Sequence, residues 1–568
     1  MGILEFQEVN CKNCYKCVRN CPVKSIEVTG HQARIIEQEC ILCGNCSVVC
    51  PQKAKSDISE LQAVRRVIAE GKRVYALVAP SITAYFNLPL AKLAGMLQSL
   101  GFSEFAETAA GARIVKREYE KLIAKDPEKV WISSCCPAIN AYICKHRSEA
   151  VSFLAPVKTP MQAAAKRIKE QDKQAVVVFI GPCIAKKGEA AEQGSDTDFA
   201  LTFDEVEEWL LSAPVQENNE TDILKEPMLS RFFPVTGGIL KTMEKHDGVT
   251  YISMDGLETC MEAVDEVASG KLKGCFIEMS ACRGACVGGP SFRRKKMGLT
   301  ASYHSVEETA IAKETGEIAV ALCPDFTEEL EESAAAVYQA KAVLAPMPTE
   351  AQITAILKKM GKNSPADELN CGMCGYENCR KKAIAVFQNR AEISMCLPFM
   401  KERAESFSDQ IINITPDAIL TVDMDLKVQQ INEAAARLFG VRPEDVMNGP
   451  VSRILDEFDF VNMMINNIEN VKKNAFLAEY NCYVEQVFLY DKSSSSIICI
   501  MKDISADRNR KNQAMKAKLA AANMADDIVE KQLRTVQEIA SLLGETAAET
   551  KIAVADLKEA IMMDRDEI

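Results

Sequence analysis

The sequence predicts a multidomain protein that mixes α+β and α/β architecture, and three observations carry that prediction. The chain has 568 residues with 23 cysteines against 4 histidines, and most of the cysteines fall into spaced groups. Between about residues 60 and 350, short β-rich runs alternate with helical stretches, the pattern of sheets flanked by helices. From about residue 511 the chain loses proline and takes on a heptad pattern. Five segments are expected, at 1–58, 59–350, 351–405, 406–507 and 508–568, in line with roughly 100–200 residues per domain.

Composition narrows the function classes. With 48% hydrophobic and 26% charged residues, the chain is ordinary for a globular protein. A net charge of −13 argues against a nucleic-acid backbone or an anionic membrane surface as the main partner. No apolar run approaches the roughly 18 residues of a membrane span. The start, Met1-Gly2-Ile3-Leu4-Glu5-Phe6, lacks the basic and apolar regions of a signal peptide. In such a chain clustered cysteine means metal ligation or redox chemistry rather than a disulfide framework, and a cytoplasmic location is expected.

The first segment carries Cys11-x2-Cys14-x2-Cys17-x3-Cys21-Pro22, then Cys40-x2-Cys43-x2-Cys46-x3-Cys50-Pro51. This is the bacterial two-cluster ferredoxin run, in which the fourth cysteine of each run ligates the other cluster. One 4Fe-4S cluster is assigned to Cys11, Cys14, Cys17 and Cys50, the other to Cys40, Cys43, Cys46 and Cys21. Ser25–Val28 and His31–Ile36 read as short strands between the runs. A zinc ribbon needs four ligands in pairs and leaves the repeat of eight unexplained.

In the second segment the β-rich runs are Val74–Ala79, Val130–Ser133, Ala175–Ile180 and Cys275–Met279. Helices are expected at Pro89–Leu100, Gly111–Ala124, Pro160–Gln171 and Asp204–Ser212. The runs end in Ala79-Pro80-Ser81, Ser134-Cys135-Cys136-Pro137, Gly181-Pro182-Cys183 and Ser280-Ala281-Cys282, the last continuing to Cys286 and Gly288-Gly289. Ligands of open α/β sheets bind outside the carboxyl ends of strands. Four such ends, three bearing thiols, imply one convergent site where Cys136, Cys183, Cys282 and Cys286 supply enough thiolates for a cubane. Buried structural cysteine explains any one of them, but not thiols recurring beside Gly and Pro after strands.

These residues resemble the iron-only (FeFe) hydrogenases. The family's three signatures match Ser133–Pro137, Pro182–Lys187 and Cys282–Gly289 in the family's order. The resemblance implies an H-cluster, a 4Fe-4S cubane on Cys136, Cys183, Cys282 and Cys286 with Cys286 bridging to a diiron subcluster. That subcluster carries carbon monoxide, cyanide and a bridging azadithiolate, supplied by maturation proteins. Lys186 matches the lysine that hydrogen-bonds a cyanide, Cys135 matches the thiol that exchanges protons with the bridging amine, and Ala79, Pro80 and Ser81 fall in the cofactor-binding set. The chain departs from catalytic members at Gly181 and Ser280, where they carry methionine. It departs again at Gly111-Ala112-Arg113-Ile114-Val115-Lys116-Arg117-Glu118-Tyr119-Glu120, where they carry acidic proton-relay residues. Basic residues there raise the cost of passing a proton; Glu118 or Glu120 is the remaining acidic candidate.

The third segment holds Cys371-x2-Cys374-x4-Cys379-x16-Cys396. Four close thiolates suit a further 4Fe-4S cluster, with zinc the alternative, and the spacing resembles small iron-sulfur modules of anaerobic electron-transfer proteins. In the fourth segment, strands at 417–423 and 426–431, a helix Asn432–Phe439 closed by Gly440, and late strands Val487–Tyr490 and Ile497–Lys502 resemble a PAS sensor domain. No histidine follows His304, which excludes a His-ligated haem there. In the tail, apolar residues recur from Met515 and Leu519 to Leu557 and Ile561, as in a dimeric coiled coil; an amphipathic helix packed on the PAS segment is the alternative. The six cysteines without a spacing pattern, Cys144, Cys260, Cys275, Cys323, Cys482 and Cys499, read as structural.

Together these expectations describe a sensory FeFe-hydrogenase with slow, reversible dihydrogen oxidation and proton reduction. Electrons pass through three further 4Fe-4S clusters toward a PAS and coiled-coil output, in a homodimer with an unidentified redox or signalling partner. Two alternatives are a metabolic hydrogenase that uses PAS for assembly, and a hydrogenase-like iron-sulfur scaffold lacking the diiron site.

Overall fold

The computed structural model describes residues 2–213, 229–311, 334–342, 345–492 and 494–563, with side chains to 559. Cys323 lies outside the described residues. By its contacts the chain divides into two compact units, Met1–Met400 and Lys401–Ile568.

The first unit begins with two short antiparallel pairs. Leu4–Phe6 pairs with Lys55–Asp57, and Ile26–Thr29 pairs with Gln32–Ile35. The helices Lys16–Arg19 and Asn45–Val49 each run directly toward the last cysteine of a run, Cys21 and Cys50.

Beyond residue 70, two parallel sheets form. One has the order Glu104–Glu107, Val74–Val78, Val176–Gly181, Phe199–Thr202; the other has the order Thr250–Asp255, Cys275–Ser280, Val130–Ile132. Val74–Val78 is buried at every residue, and Val176–Gly181 at all but its first. Both faces are covered, which is why these strands read as unbroken β-branched and apolar runs. The sequence shows one alternating region; the structure makes two sheets of it. It also adds Glu104–Glu107, Phe199–Thr202 and Thr250–Asp255, sheet-edge strands too short or too polar to stand out. The helices Thr108–Lys125 and Pro160–Gln171 pack on each other; Pro160–Gln171 also meets Val74–Val78 and Val176–Gly181, while Val115, Tyr119 and Ile123 share a core with Trp131 and Phe276 of the second sheet.

A buried ionic net joins the amino-terminal region to the sheets. Asp57 pairs with Lys187 at 2.8 Å and Arg294 at 2.7 Å, and Lys187 also reaches Glu205 at 2.7 Å. Burial opposes the charge on Asp57, yet the two cations hold its carboxyl below the usual range.

The second unit is a five-stranded antiparallel sheet in the order Val428–Ile431, Ala418–Asp423, Ser496–Asp503, Cys482–Asp491, Asn470–Leu477. Asn432 is buried and caps the helix Glu433–Phe439, accepting from Ile419 and Ala435 and donating to the carbonyls of Ile412 and Asp417. Gly440 closes that helix in the left-handed conformation. The strand Asn470–Leu477 does not stand out in the sequence because Lys472 and Lys473 break its apolar pattern, although burial alternates along it. One helix, Ser505–Met563, forms the tail, and its described apolar residues, from Met515 and Leu519 to Val554 and Leu557, are exposed. Among the described residues no helix is long and apolar enough to cross a membrane.

Candidate active site and metal centres

Both sheets carry thiols at their carboxyl ends. From the first, Val78 leads to Ala79-Pro80-Ser81 and its neighbour Gly181 to Pro182-Cys183; from the second, Ile132 leads to Ser133–Cys136 and Ser280 to Ala281-Cys282. Cys136 caps the helix Pro137–His146, and Cys286 lies in the short helix Ala285–Gly288. The structure brings Cys136, Cys183, Cys282 and Cys286 within electrostatic reach of one another. Burial pushes the Cys183 thiol up to about 11 and those of Cys282 and Cys286 higher still, with neighbouring thiols adding to the rise. Cys286 nevertheless keeps accessible surface. Buried thiols that cannot all ionise alone are a donor set that suits a positively charged metal group. The buried hydroxyl of Ser81, at the same sheet end as Cys183, has no hydrogen-bond partner among the described residues, as fits a wall that meets a polar ligand.

Lys186 is 8% exposed, and its charge reaches Cys135, Cys183 and Cys286. Its ammonium donates to Glu189 at 2.7 Å, and the other carboxylate oxygen of Glu189 accepts from Thr159 at 2.6 Å.

Cys135 meets different neighbours from those the sequence suggested. Glu118 pairs with Lys121, and Glu120 pairs with Lys116 and accepts from the Glu244 backbone. Helical periodicity turns Ala112, Val115, Tyr119 and Ile123 inward instead. Tyr119 is fully buried; its hydroxyl lies 3.2 Å from the Cys135 sulfur, accepts from the Ser134 backbone at 2.8 Å and meets the Ser134 hydroxyl at 2.9 Å. Burial pushes the Cys135 thiol up to about 12, partly offset by the Tyr119 bond.

Glu278 lies within electrostatic reach of Cys135 and is 2% exposed. Its carboxylate accepts from the backbone of Gly237 and Leu240 at 2.9 and 3.1 Å, and burial still raises it to about 7. The signal was visible: one glutamate inside the apolar run Cys275–Met279. At Gly181, a Cβ would meet the Phe179 ring at 2.3 Å.

Two further thiol sets surround small pockets. Cys21, Cys40, Cys43 and Cys46 line one, and Cys371, Cys374, Cys379 and Cys396 line the other together with Lys382 and Tyr376. Cys17 lies within reach of Cys11 and Cys14, while Cys50 follows the helix Asn45–Val49, its sulfur accepting from the Ala54 backbone. Cys43 is also within reach of Cys282, which links the amino-terminal thiols to the strand-end site. Among the described residues no His, Cys, Asp or Glu side chains group as ligands of a single ion. Cys144, Cys260, Cys275, Cys482 and Cys499 are buried outside these sets.

Comparison with known families gives a model for the iron-only hydrogenase large subunit, C-terminal domain, over residues 72–290. Residues 72–290 belong to the iron-only hydrogenase family. Around this hydrogenase domain, models match a 4Fe-4S dicluster domain at 3–66, an Fe-S cluster module at 367–398 and a PAS domain at 416–514. The Periplasmic Fe hydrogenase large subunit of Nitratidesulfovibrio vulgaris is 26% identical over 360 residues, 46% of this chain and 86% of that protein. A component of an ion-translocating oxidoreductase complex of Methanosarcina acetivorans is 47% identical over 47 residues, 8% of this chain and 18% of that protein. Among solved structures, an FeFe-hydrogenase of Chlamydomonas reinhardtii matches at 17% identity and TM-score 0.36, covering 50% of this chain and all of that one. A PAS domain of an HTR-like protein from Haloarcula marismortui matches at 16% identity and TM-score 0.16, covering 18% of this chain and 95% of that one.

Proposed function

We propose that the chain is a sensory FeFe-hydrogenase that interconverts dihydrogen with protons and electrons and passes its redox state to a PAS and coiled-coil output. The observation that carries this reading is the convergence of Cys136, Cys183, Cys282 and Cys286 from the ends of two sheets, with Lys186 and Cys135 beside them. These four thiols would hold the cubane of an H-cluster, and Cys286 would bridge to its diiron part. Bound there, the H-cluster supplies Lewis-acidic iron and a pendant base for heterolytic cleavage of dihydrogen.

The chain's own residues do the rest. Lys186, fixed by Glu189, presents a compact ammonium donor to an anionic ligand, and Ser81 places its hydroxyl at the neighbouring strand end of the same sheet. Cys135 carries the proton between the cavity and the interior, Tyr119 orients its sulfur, and Glu278 receives the proton on a carboxyl poised near neutrality. This path replaces the acidic helix positions that the chain lacks, and a single buried carboxylate suits a slow sensor better than a fast metabolic enzyme. Electrons would leave by way of Cys43 and the 4Fe-4S sites of Cys11, Cys14, Cys17 and Cys50, of Cys21, Cys40, Cys43 and Cys46, and of Cys371, Cys374, Cys379 and Cys396. The exposed apolar stripe of Ser505–Met563 would pair with a second copy.

Infrared spectroscopy of the matured protein tests the reading. Bands of iron-bound carbon monoxide and cyanide are expected, and their absence after successful maturation sinks it in favour of a plain cluster scaffold.

A further inference from the structure

The third cysteine array contains a charge that its ligand role does not require. Lys382 is 0% exposed and lines the same pocket as Cys371, Cys374, Cys379 and Cys396. It stands three residues after Cys379 on the helix Cys379–Phe387, so the two share a face. Its ammonium donates to the Glu392 carbonyl at 2.5 Å and lies 5.5 Å from the centre of the Tyr376 ring. Neither group is a counter-charge. Among the described residues, the acidic groups within reach are the Cys374 and Cys396 thiols and the Glu392 carboxylate, and that carboxylate is already engaged by His31 at 3.0 Å and by the Ser394 hydroxyl. A buried ammonium without a dedicated carboxylate is costly unless something anionic shares its pocket.

The array is also docked on the amino-terminal thiol sites. The Val28 backbone donates to Arg390 at 2.8 Å, Arg390 forks onto Glu39, and Arg19 donates to the Met373 carbonyl. Gly375, at φ +94°, lets the ligand loop press on Val18, which a Cβ would meet at 3.0 Å. Lys24 and Tyr376 each feel Cys21 on one side and Cys374 on the other. Charge leaving the Cys21 site therefore has a neighbour in the Cys374 site. The last ligand, Cys396, directly precedes the helix Leu397–Ile414, whose first residues line the same pocket.

We infer that Lys382 raises the reduction potential of the centre held by Cys371, Cys374, Cys379 and Cys396, making this module the place where electrons from the amino-terminal clusters come to rest. The inference depends on that array holding a 4Fe-4S cluster. The step is a single electron: the donor cluster is oxidised by one, the third centre is reduced by one, and no proton moves. Reduction makes the third centre more anionic, and the fixed ammonium of Lys382 stabilises that form over the oxidised one. The added negative charge also falls at the amino-terminal, positive end of the helix Leu397–Ile414, which is the segment that leads toward the PAS domain.

Potentiometric titration of the reconstituted full-length chain, followed by electron paramagnetic resonance, tests this. Iron and sulfide analysis comes first, with the third signal assigned by its loss in Cys371→Ser; zinc in the array defeats the cluster assignment itself, separately from the role of Lys382. Lys382→Met is expected to lower the third midpoint by about a tenfold change in the reduced-to-oxidised ratio, about 59 mV for one electron, with the other midpoints unchanged and Lys382→Arg close to wild type. An assembled third cluster with an unmoved midpoint in Lys382→Met overturns the inference. Should Lys382→Met not assemble, the wild-type midpoints decide: a third centre above both amino-terminal centres supports the inference, and one below them overturns it.

Discussion

The strand-end site and the third array each combine four thiols with one buried lysine, but they are built differently. Cys136 and Cys286 are separated by most of the hydrogenase domain, and two sheets must fold before their thiols meet. Cys371 and Cys396 sit within one short segment of loop and helix. The lysines differ in the same sense. Lys186 has its own carboxylate in Glu189, so its charge is largely neutralised, and under the proposed function it would serve as a directional donor. Among the described residues Lys382 has a carbonyl and a ring beside its ammonium and no carboxylate of its own, so under the inference above its charge acts on whatever the thiols hold. A paired lysine recognises; an unpaired one polarises.

The largest effects are expected at the strand-end site. Cys135→Ala should cut turnover by about 10²–10⁴-fold while the carbon monoxide and cyanide bands of matured protein persist. Unchanged turnover would remove Cys135 from the proton path and leave the site as a binding pocket only. Next comes a direct test of the two lysines in the protein without clusters. Lys186→Met leaves the largely shielded Glu189 without its cation, with the Thr159 hydroxyl still donating to it, a loss of up to about 3 kcal/mol, visible as a lower melting temperature and recovered in part by adding Glu189→Gln. Lys382→Met removes an uncompensated charge and should be neutral or stabilising. If both substitutions destabilise alike, the contrast between paired and unpaired lysine is wrong.

Much of the contrast was legible in the sequence, and its limits have physical reasons. Cysteine spacing is local, so the amino-terminal repeat and the array Cys371–Cys396 could be grouped by counting residues. The strand-end set could be grouped because a thiol next to Gly or Pro after a β-rich run has few structural uses. Tyr119 and Glu278 do not stand out in the sequence, because what singles them out is their nearness to Cys135, distant along the chain. The helix Thr108–Lys125 shows its acidic residues to a reader of the sequence, yet periodicity turns Glu118 and Glu120 to lysines and Tyr119 to Cys135. Asn470–Leu477 in the PAS domain does not stand out because a half-exposed strand tolerates lysine on its open face.

Glu278 gives a smaller effect with a definite sign. Its carboxyl is raised in the fold from an ordinary value of 4.5 to about 7 by burial. Between these values the folded state holds a proton that the unfolded state has lost, so stability falls as pH rises through that window and is flat above it. Against Glu278→Gln, which cannot titrate, wild type should lose up to about 3 kcal/mol between roughly pH 4.5 and 7. Urea melts across that range measure it. Parallel curves for the two proteins would mean that the carboxylate is fully satisfied by the Gly237 and Leu240 backbone and is unsuited to receiving a proton from Cys135.

Tyr119→Phe should give the smallest change and is the sharpest test of orientation against chemistry. The ring stays, so packing against Phe276 at 5.1 Å is kept. What goes is the hydroxyl that meets the Cys135 sulfur and satisfies the Ser134 backbone donor. One orphaned buried donor costs about 1–3 kcal/mol, within reach of a thermal melt. Because Cys135 itself remains, turnover should fall by less than in Cys135→Ala, with the infrared bands in place. A loss equal to that of Cys135→Ala would make Tyr119 a link in the proton path rather than its guide. A melt that shifts with unaltered turnover would confine Tyr119 to holding the Ser134 turn, and the difference between the two sites would then rest on the lysines alone.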